Sequence, residues 1–128
     1  MSKWQIPYPQ EVKVAGYMDS DEPIYFQNMT MKQSEERLKE NDILILPIGS
    51  TECHGAHACY GEDTFLVTRM AEQVAKKTGC TVSQPIWFGS HPYHHMGMPG
   101  TIPINENTFC DYIAQVLAGF WNAGYRKI

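Results

Sequence analysis

Ile43, Leu44, Ile45 and Leu46 are apolar at four successive positions, a pattern that leaves no side of the backbone for solvent. Such a run fits a strand covered on both faces, the usual situation in a parallel sheet. A parallel neighbour requires a crossover, and the residues that follow supply one. After an irregular stretch over 49–61, Leu66, Val67, Met70, Ala71, Val74 and Ala75 recur at three-and-four spacing. That spacing predicts an amphipathic helix with these residues on the core. Lys76, Lys77 and Gly79 provide a basic last turn and a stop. Residues 81–86 then read as a second strand, which completes a β-α-β unit with a right-handed crossover. The predicted class is α/β, a mostly parallel sheet with helices on both faces.

The flanks extend this reading. Thr30 followed by Gln33 is a capping-box pattern, and the charged residues 34–40 predict a short exposed helix ended by Asn41 and Asp42. No period holds over 87–107, a length of loop that is uncommon in a compact domain unless it is functional. A second capping-box pattern, Thr108 to Asp111, opens a last helix predicted to bury Phe109, Tyr112, Ile113, Val116, Leu117 and Phe120 and to stop near Gly124. Residues 125–128 look like the approach to another buried strand, so the domain is expected to be incomplete in this chain. Residues 1–29 are expected to form an irregular N-terminal arm, with Trp4, Tyr8, Tyr17, Tyr25 and Phe26 to pack it, and residues 30–128 the α/β domain.

Composition narrows the function. A chain of 128 residues with 43% apolar content is sized for one domain with its own core. Ten basic against fourteen acidic residues give a net charge of −4, the wrong sign for holding a phosphate backbone, so nucleic acid is not an expected partner. The longest apolar run is far too short to span a membrane, and no membrane partner is expected. Cys53, Cys59, Cys80 and Cys110 contain no C-x-x-C pair. Reduced thiols in a cytoplasm are the expectation, with Cys80 and Cys110 as small core residues.

All five histidines lie between His54 and His95, in the two irregular segments that flank the predicted crossover helix. The first segment follows the carboxyl end of the predicted central strand, the edge where open α/β sheets bind ligands. Glu52 and His54 are one residue apart, so in an extended segment they project to the same side. With Asp63 folding back from the start of the helix, they could hold one or two metal ions, and this ligand set suits zinc, manganese or iron. Asp63 has a second reading as the helix N-cap. Cys53, His54, His57 and Cys59 form a different candidate set, for structural zinc, though their spacing is tighter than the usual knuckles. A Cys53 nucleophile beside His54 is disfavoured, because adjacent residues of an extended segment point to opposite faces. In the second segment, Ser90, His94, His95 and Thr101 are able to hydrogen-bond a polar substrate, the alternative being a surface loop with solvated histidines.

Two motifs and their order resemble the creatininase (creatinine amidohydrolase) family. The first is Leu46-Pro47-Ile48-Gly49-Ser50-Thr51-Glu52-x-His54-Gly55-x-His57, continued by Gly61-x-Asp63-Thr64; the second is His95-x-Gly97-Met98-Pro99-Gly100-Thr101. The likeness covers about residues 30–128. It implies the N-terminal part of a creatininase-like α/β sandwich, usually a homo-oligomer. It also implies two divalent ions with Glu52, His54 and a bridging Asp63 as ligands, and a metal-activated water. By the same resemblance, the segment from His95 to Thr101 is the substrate-side loop. Cys53 stands where Gln is common, and Ala56 and Ala58 stand where Pro and Leu are frequent, departures that spare the implied ligands. The strand expected beyond residue 128 would carry further ligands, which makes a complementary C-terminal chain an expected partner. Tyr60 to Thr64 and Ser90 to His95 are most similar to the branch of 3-dehydro-scyllo-inosose hydrolases.

The resulting expectation is a metal-dependent hydrolase that opens a small cyclic substrate, either a cyclic polyol ketone such as 3-dehydro-scyllo-inosose or a cyclic amide. Ser90 and His95 are the foremost substrate contacts, and His57 is a candidate to hold a metal ligand in place through a hydrogen bond. The competing expectation is a non-catalytic binding or regulatory subunit stabilised by a metal.

Overall fold

A computed structural model describes residues 23–128. Its centre is a short parallel pair, β1 (Leu44–Ile45) and β2 (Thr81–Val82), with Leu44 opposite Thr81 and Ile45 opposite Val82. Parallel bridges extend the pair on every side: Tyr25 joins Val82, Lys127 joins Ile43, and Ile48 joins Ile86. The strand through residue 44 therefore has a neighbour on each edge, the central place its apolar run predicts. Its approach by residues 125–128 is also as expected, since the Leu44 N–H donates to the Lys127 carbonyl at 2.9 Å. Ile24 and Tyr25, read from sequence as part of the arm, form the far edge, where the Val82 N–H donates to the Ile24 carbonyl. Trp4, Tyr8 and Tyr17 lie outside the described residues.

Among the described residues, three α-helices flank the sheet: α1 (Met31–Glu40), α2 (Glu62–Thr78) and α3 (Glu106–Ala123). Because side chains alternate along a strand, Leu44 and Ile45 enter different layers. Ile45 packs against a cluster of Ile24, Tyr25, Ala71, Ala75, Cys80 and Val82, the α2 side. Leu44 joins Phe120 and Tyr125, with Phe26, Leu38, Leu46 and Val116 around them, the side of α1 and α3. Phe26, Phe120 and Tyr125 meet edge to face, with ring centroids 5.2 to 6.1 Å apart. Helices thus cover both faces, as expected for the class.

The ends of α1 and α2 follow the sequence closely. Thr30 and Gln33 form a reciprocal capping box on α1, and Asn41 ends it. Gly79 ends α2 in the left-handed region at φ 74°, after Lys76 and Lys77. Arg37 ties α1 to β2, donating to Thr81 Oγ1 at 2.9 Å and to the carbonyls of Gly79 and Cys80 at 3.1 and 2.8 Å.

Three details differ from the sequence reading. The buried stripe of α2 is Thr64, Thr68, Ala71, Glu72 and Ala75, while Leu66, Met70 and Val74 are half exposed. Apart from Glu72, the side chains the helix turns inward are small, and Thr68 satisfies its hydroxyl on the Thr64 carbonyl at 2.6 Å. Helix α3 begins earlier than predicted: its cap is Asn105, whose side chain accepts from the Asn107 N–H at 3.0 Å, and Thr108 lies within the first turns. Of its apolar residues only Phe120 is buried, and Cys110 is exposed, whereas Cys80 is in the core as expected.

Candidate metal centre

The two irregular segments leave the same sheet edge. Beyond the paired strands the ladder continues, with the Gly49 N–H donating to the Ile86 carbonyl and the Ile86 N–H to that of Pro47, both at 2.9 Å. Residues 50–53 then lie between two returning stretches. Thr51 Oγ1 donates to the Trp87 carbonyl at 3.0 Å, the Ile102 N–H donates to the Thr51 carbonyl, and the Cys53 N–H donates to Thr101 Oγ1 at 3.0 Å. The Glu52 N–H closes the 52–60 loop on the Tyr60 carbonyl. Glycine at 49 is required here, because a Cβ would collide with Thr64 Oγ1 and come within 2.5 Å of the Thr64 Cα. This close approach sets the first turn of α2 against the loop.

That contact delivers Asp63. The N-cap of α2 is Gly61, with no side-chain cap bond, so the capping alternative for Asp63 is not what the fold adopts. The Asp63 Oδ2 atom instead accepts from Ser50 Oγ at 2.8 Å and stands 3.2 Å from His54 Nε2. His54 Nε2 is 4.0 Å from Glu52 Oε1 and also 4.0 Å from Glu62 Oε2. Ligand atoms of Glu52, His54 and Asp63 all lie within 4.8 Å of one another. Two donors on one tetrahedral, zinc-sized ion stand about 3.3–3.6 Å apart, given bonds of about 2.0–2.2 Å. The His54–Asp63 pair at 3.2 Å matches that spacing and the His54–Glu52 pair at 4.0 Å lies slightly outside it, so a small side-chain rotation would bring the imidazole and the two carboxylates onto one ion.

The second segment supplies the other side of Glu52. Its Oε2 atom accepts from His91 Nδ1 at 2.8 Å and from His95 Nδ1 at 3.0 Å. Burial acts to raise the Glu52 pKa. The hydrogen bonds from His95 and His91, the neighbouring Asp63 carboxyl and the charge of His91 outweigh it, and the net shift is downward. Glu52 is accordingly the anionic hub of the cluster, flanked on both sides by imidazoles.

The remaining candidates are distributed unevenly. His95 is in the 3-10 turn Tyr93–His95 and contacts Glu52, with His94 edge-on to its ring at 4.4 Å and exposed. Ser90 is exposed next to this turn. Thr101 is buried, and its hydroxyl accepts from the Cys53 N–H, holding the backbone of the 52–60 loop. His57 is exposed on its turn and is in neither candidate ligand group. Cys53, His54, His57 and Cys59 do not converge among the described residues, and Cys59 is exposed. Sequence reasoning missed two participants. Ser50 orients Asp63, and His91 contacts Glu52 from a buried position. The only sequence signal for His91 is its place in the histidine-rich segment.

The fold and site define an α/β protein with a carboxylate–imidazole cluster at the carboxyl edge of a parallel sheet. Residues 27–128 match the family model Creatininase, described as creatinine amidohydrolase, and the chain belongs to that family. It is 64% identical over 110 residues to a 3-dehydro-scyllo-inosose hydrolase of Thermotoga maritima, covering 86% of this chain and 35% of that protein. It is 26% identical to a creatinine amidohydrolase of Pseudomonas putida, covering 82% of this chain and 42% of that one. A crystal structure of creatinine amidohydrolase superposes with a TM-score of 0.77 at 26% identity, over 81% of this chain and 42% of the other. Creatininase structures described as Zn-Zn type and as Mn superpose equally well. The chain therefore spans well under half the length of the relatives it matches. Among the described residues, no helix is long and apolar enough to cross a membrane.

Proposed function

We propose that the chain supplies part of the metal centre of a hydrolase that opens a small cyclic polyol ketone of the 3-dehydro-scyllo-inosose type. The convergence of Glu52, His54 and Asp63 carries this reading. The 64% identity to a protein named for that reaction favours the ketone over a cyclic amide. Glu52, His54 and Asp63 would hold one or two divalent ions; names of structural neighbours favour zinc or manganese. Such an ion, when bound, acidifies water to a usable nucleophile and polarises a carbonyl.

The protein's own groups divide the remaining work. Ser50 holds the Asp63 carboxylate in place through Oδ2, and the imidazoles hold Glu52 through Oε2. His95, with a side chain 30% exposed, borders both Glu52 and solvent, so it is our candidate to contact the substrate, with Ser90 and His94 beside it. The apolar groove lined by Leu46, Ile48, Ile113 and Leu117 favours a second polypeptide surface, and we expect a homo-oligomer or a companion chain there. The four free cysteines suit a reducing compartment, and on that ground we place the protein in the cytoplasm.

Metal content and hydrolysis of 3-dehydro-scyllo-inosose by the purified protein test this reading together. Glu52→Gln is expected to lose bound metal and more than about 100-fold in turnover, beyond what loss of an outer partner costs. Wild-type protein that holds metal yet opens no cyclic substrate would favour the metal-stabilised binding module instead.

A further inference from the structure

We propose that His91 is a positioning residue that aims the Glu52 carboxylate: its Nδ1–H, together with that of His95, grips Oε2 so that Oε1 is presented to His54 and Asp63. The inference rests on the metal-dependent reading and deepens it. Both imidazoles address one oxygen, at 2.8 and 3.0 Å, and the other oxygen is the one 4.0 Å from His54 Nε2. A carboxylate free to rotate about its last bond would exchange these oxygens; two donors converging on one of them set the plane and leave the other available.

His91 differs from His95 in what else it can touch. Its side chain is 2% exposed against 30% for His95, so His91 meets no substrate directly and acts through Glu52 alone. Its second ring nitrogen, Nε2, is buried and finds no hydrogen-bond partner among the described residues. A ring placed for packing would do better as an apolar side chain. This one is polar on the side where the carboxylate needs a donor, and it leaves its other nitrogen unsatisfied. Glu52, His91 and His95 also lie close enough together to resemble a ligand group of their own. What distinguishes the two groups is that both rings turn Nδ1 to one and the same Glu52 oxygen, at 2.8 and 3.0 Å, as two donors sharing a carboxylate acceptor do, while His91 is buried to 2% exposure. The arrangement is therefore an outer support of the Glu52–His54–Asp63 group. Such supports usually change metal affinity by about 10–100-fold.

The test compares His91→Asn with His91→Gln in the full chain, using zinc competition against a chelating dye and zinc stoichiometry at saturation, with circular dichroism to verify folding. The Asn amide places its N–H where Nδ1 stands, whereas the Gln amide places it where Nε2 stands. We expect His91→Asn to bind zinc within about threefold of wild type and His91→Gln to bind it about 10–100-fold more weakly, both reaching wild-type stoichiometry. Equal affinities for the two folded variants, or a stoichiometry that falls in both, would overturn the positioning role. Absence of zinc binding by wild type would overturn the metal reading itself, and the inference with it.

Discussion

At the scale of single residues, the cluster depends on contacts made by residues with little chemistry of their own. Gly49 has no room for a side chain: a methyl group there would press on the backbone of Thr64, next to Asp63. Overpacking of this kind costs about 1–3 kcal/mol, and here the displaced atoms belong to the turn that carries a candidate ligand. Gly49→Ala is expected to lower the urea midpoint and to weaken zinc binding together. A variant that loses stability but keeps wild-type affinity would show that the turn of α2 does not position Asp63. His91 makes the complementary point, since its unpaired buried nitrogen carries a cost of about 1–3 kcal/mol that the packing of the loop must offset.

At the scale of elements, α2 links core and site, and one of its inward residues is charged. Glu72 is buried, accepts from Arg69 at 2.7 Å and from Lys76 at 3.1 Å, and belongs to the stripe facing the sheet. Burial alone would raise its pKa; the hydrogen bonds and charges of Arg69 and Lys76 outweigh burial and lower it. A carboxyl whose folded pKa lies below its unfolded value stabilises the fold above the unfolded pKa. That stabilisation is lost as pH falls through the folded value. Wild-type protein should therefore lose stability on acidification below about pH 4. Glu72→Gln should be less stable at pH 7 and show a shallower acid limb, as read from urea midpoints across that range. A Gln variant with the wild-type pH dependence would assign the acid limb to other carboxylates, Glu52 first among them.

At the scale of the whole molecule, the cluster joins the segments after both paired strands and the first turn of α2. A ligand that binds it stabilises the folded state as a unit, by about 2.7 kcal/mol at a free concentration one hundred times its Kd. Zinc is expected to raise the thermal midpoint of the wild-type chain, a chelator to reverse the rise, and Glu52→Gln to abolish it. A rise of the same size in Glu52→Gln would place the stabilising ion elsewhere. The half-exposed Leu66, Met70 and Val74 on the outer side of α2 concern this scale as well. Their spacing satisfies the amphipathic rule as well as the Thr64, Thr68, Ala71 and Ala75 stripe does. A helix read alone offers two faces, and packing against Ile24, Tyr25, Cys80 and Val82 selects the one with Ala71 and Ala75.

What the chain determined by itself is local and periodic. Four consecutive apolar residues called for a central strand covered on both faces; capping residues and glycines marked the ends of α1 and α2; and a two-residue repeat put Glu52 and His54 on one side of their segment. These follow from backbone geometry over a few residues, which any reader of the sequence can apply. Tertiary structure alone decided which helix face turned inward, that Asp63 reaches the loop through Ser50 instead of capping α2, and that Thr101 holds backbone. It also set buried His91 beside Glu52, while His57 is exposed on its turn. His91 and Glu52 are 39 positions apart, and no local period relates them. Their hydrogen bond exists because two parallel strands end at the same edge and release their loops into a common space.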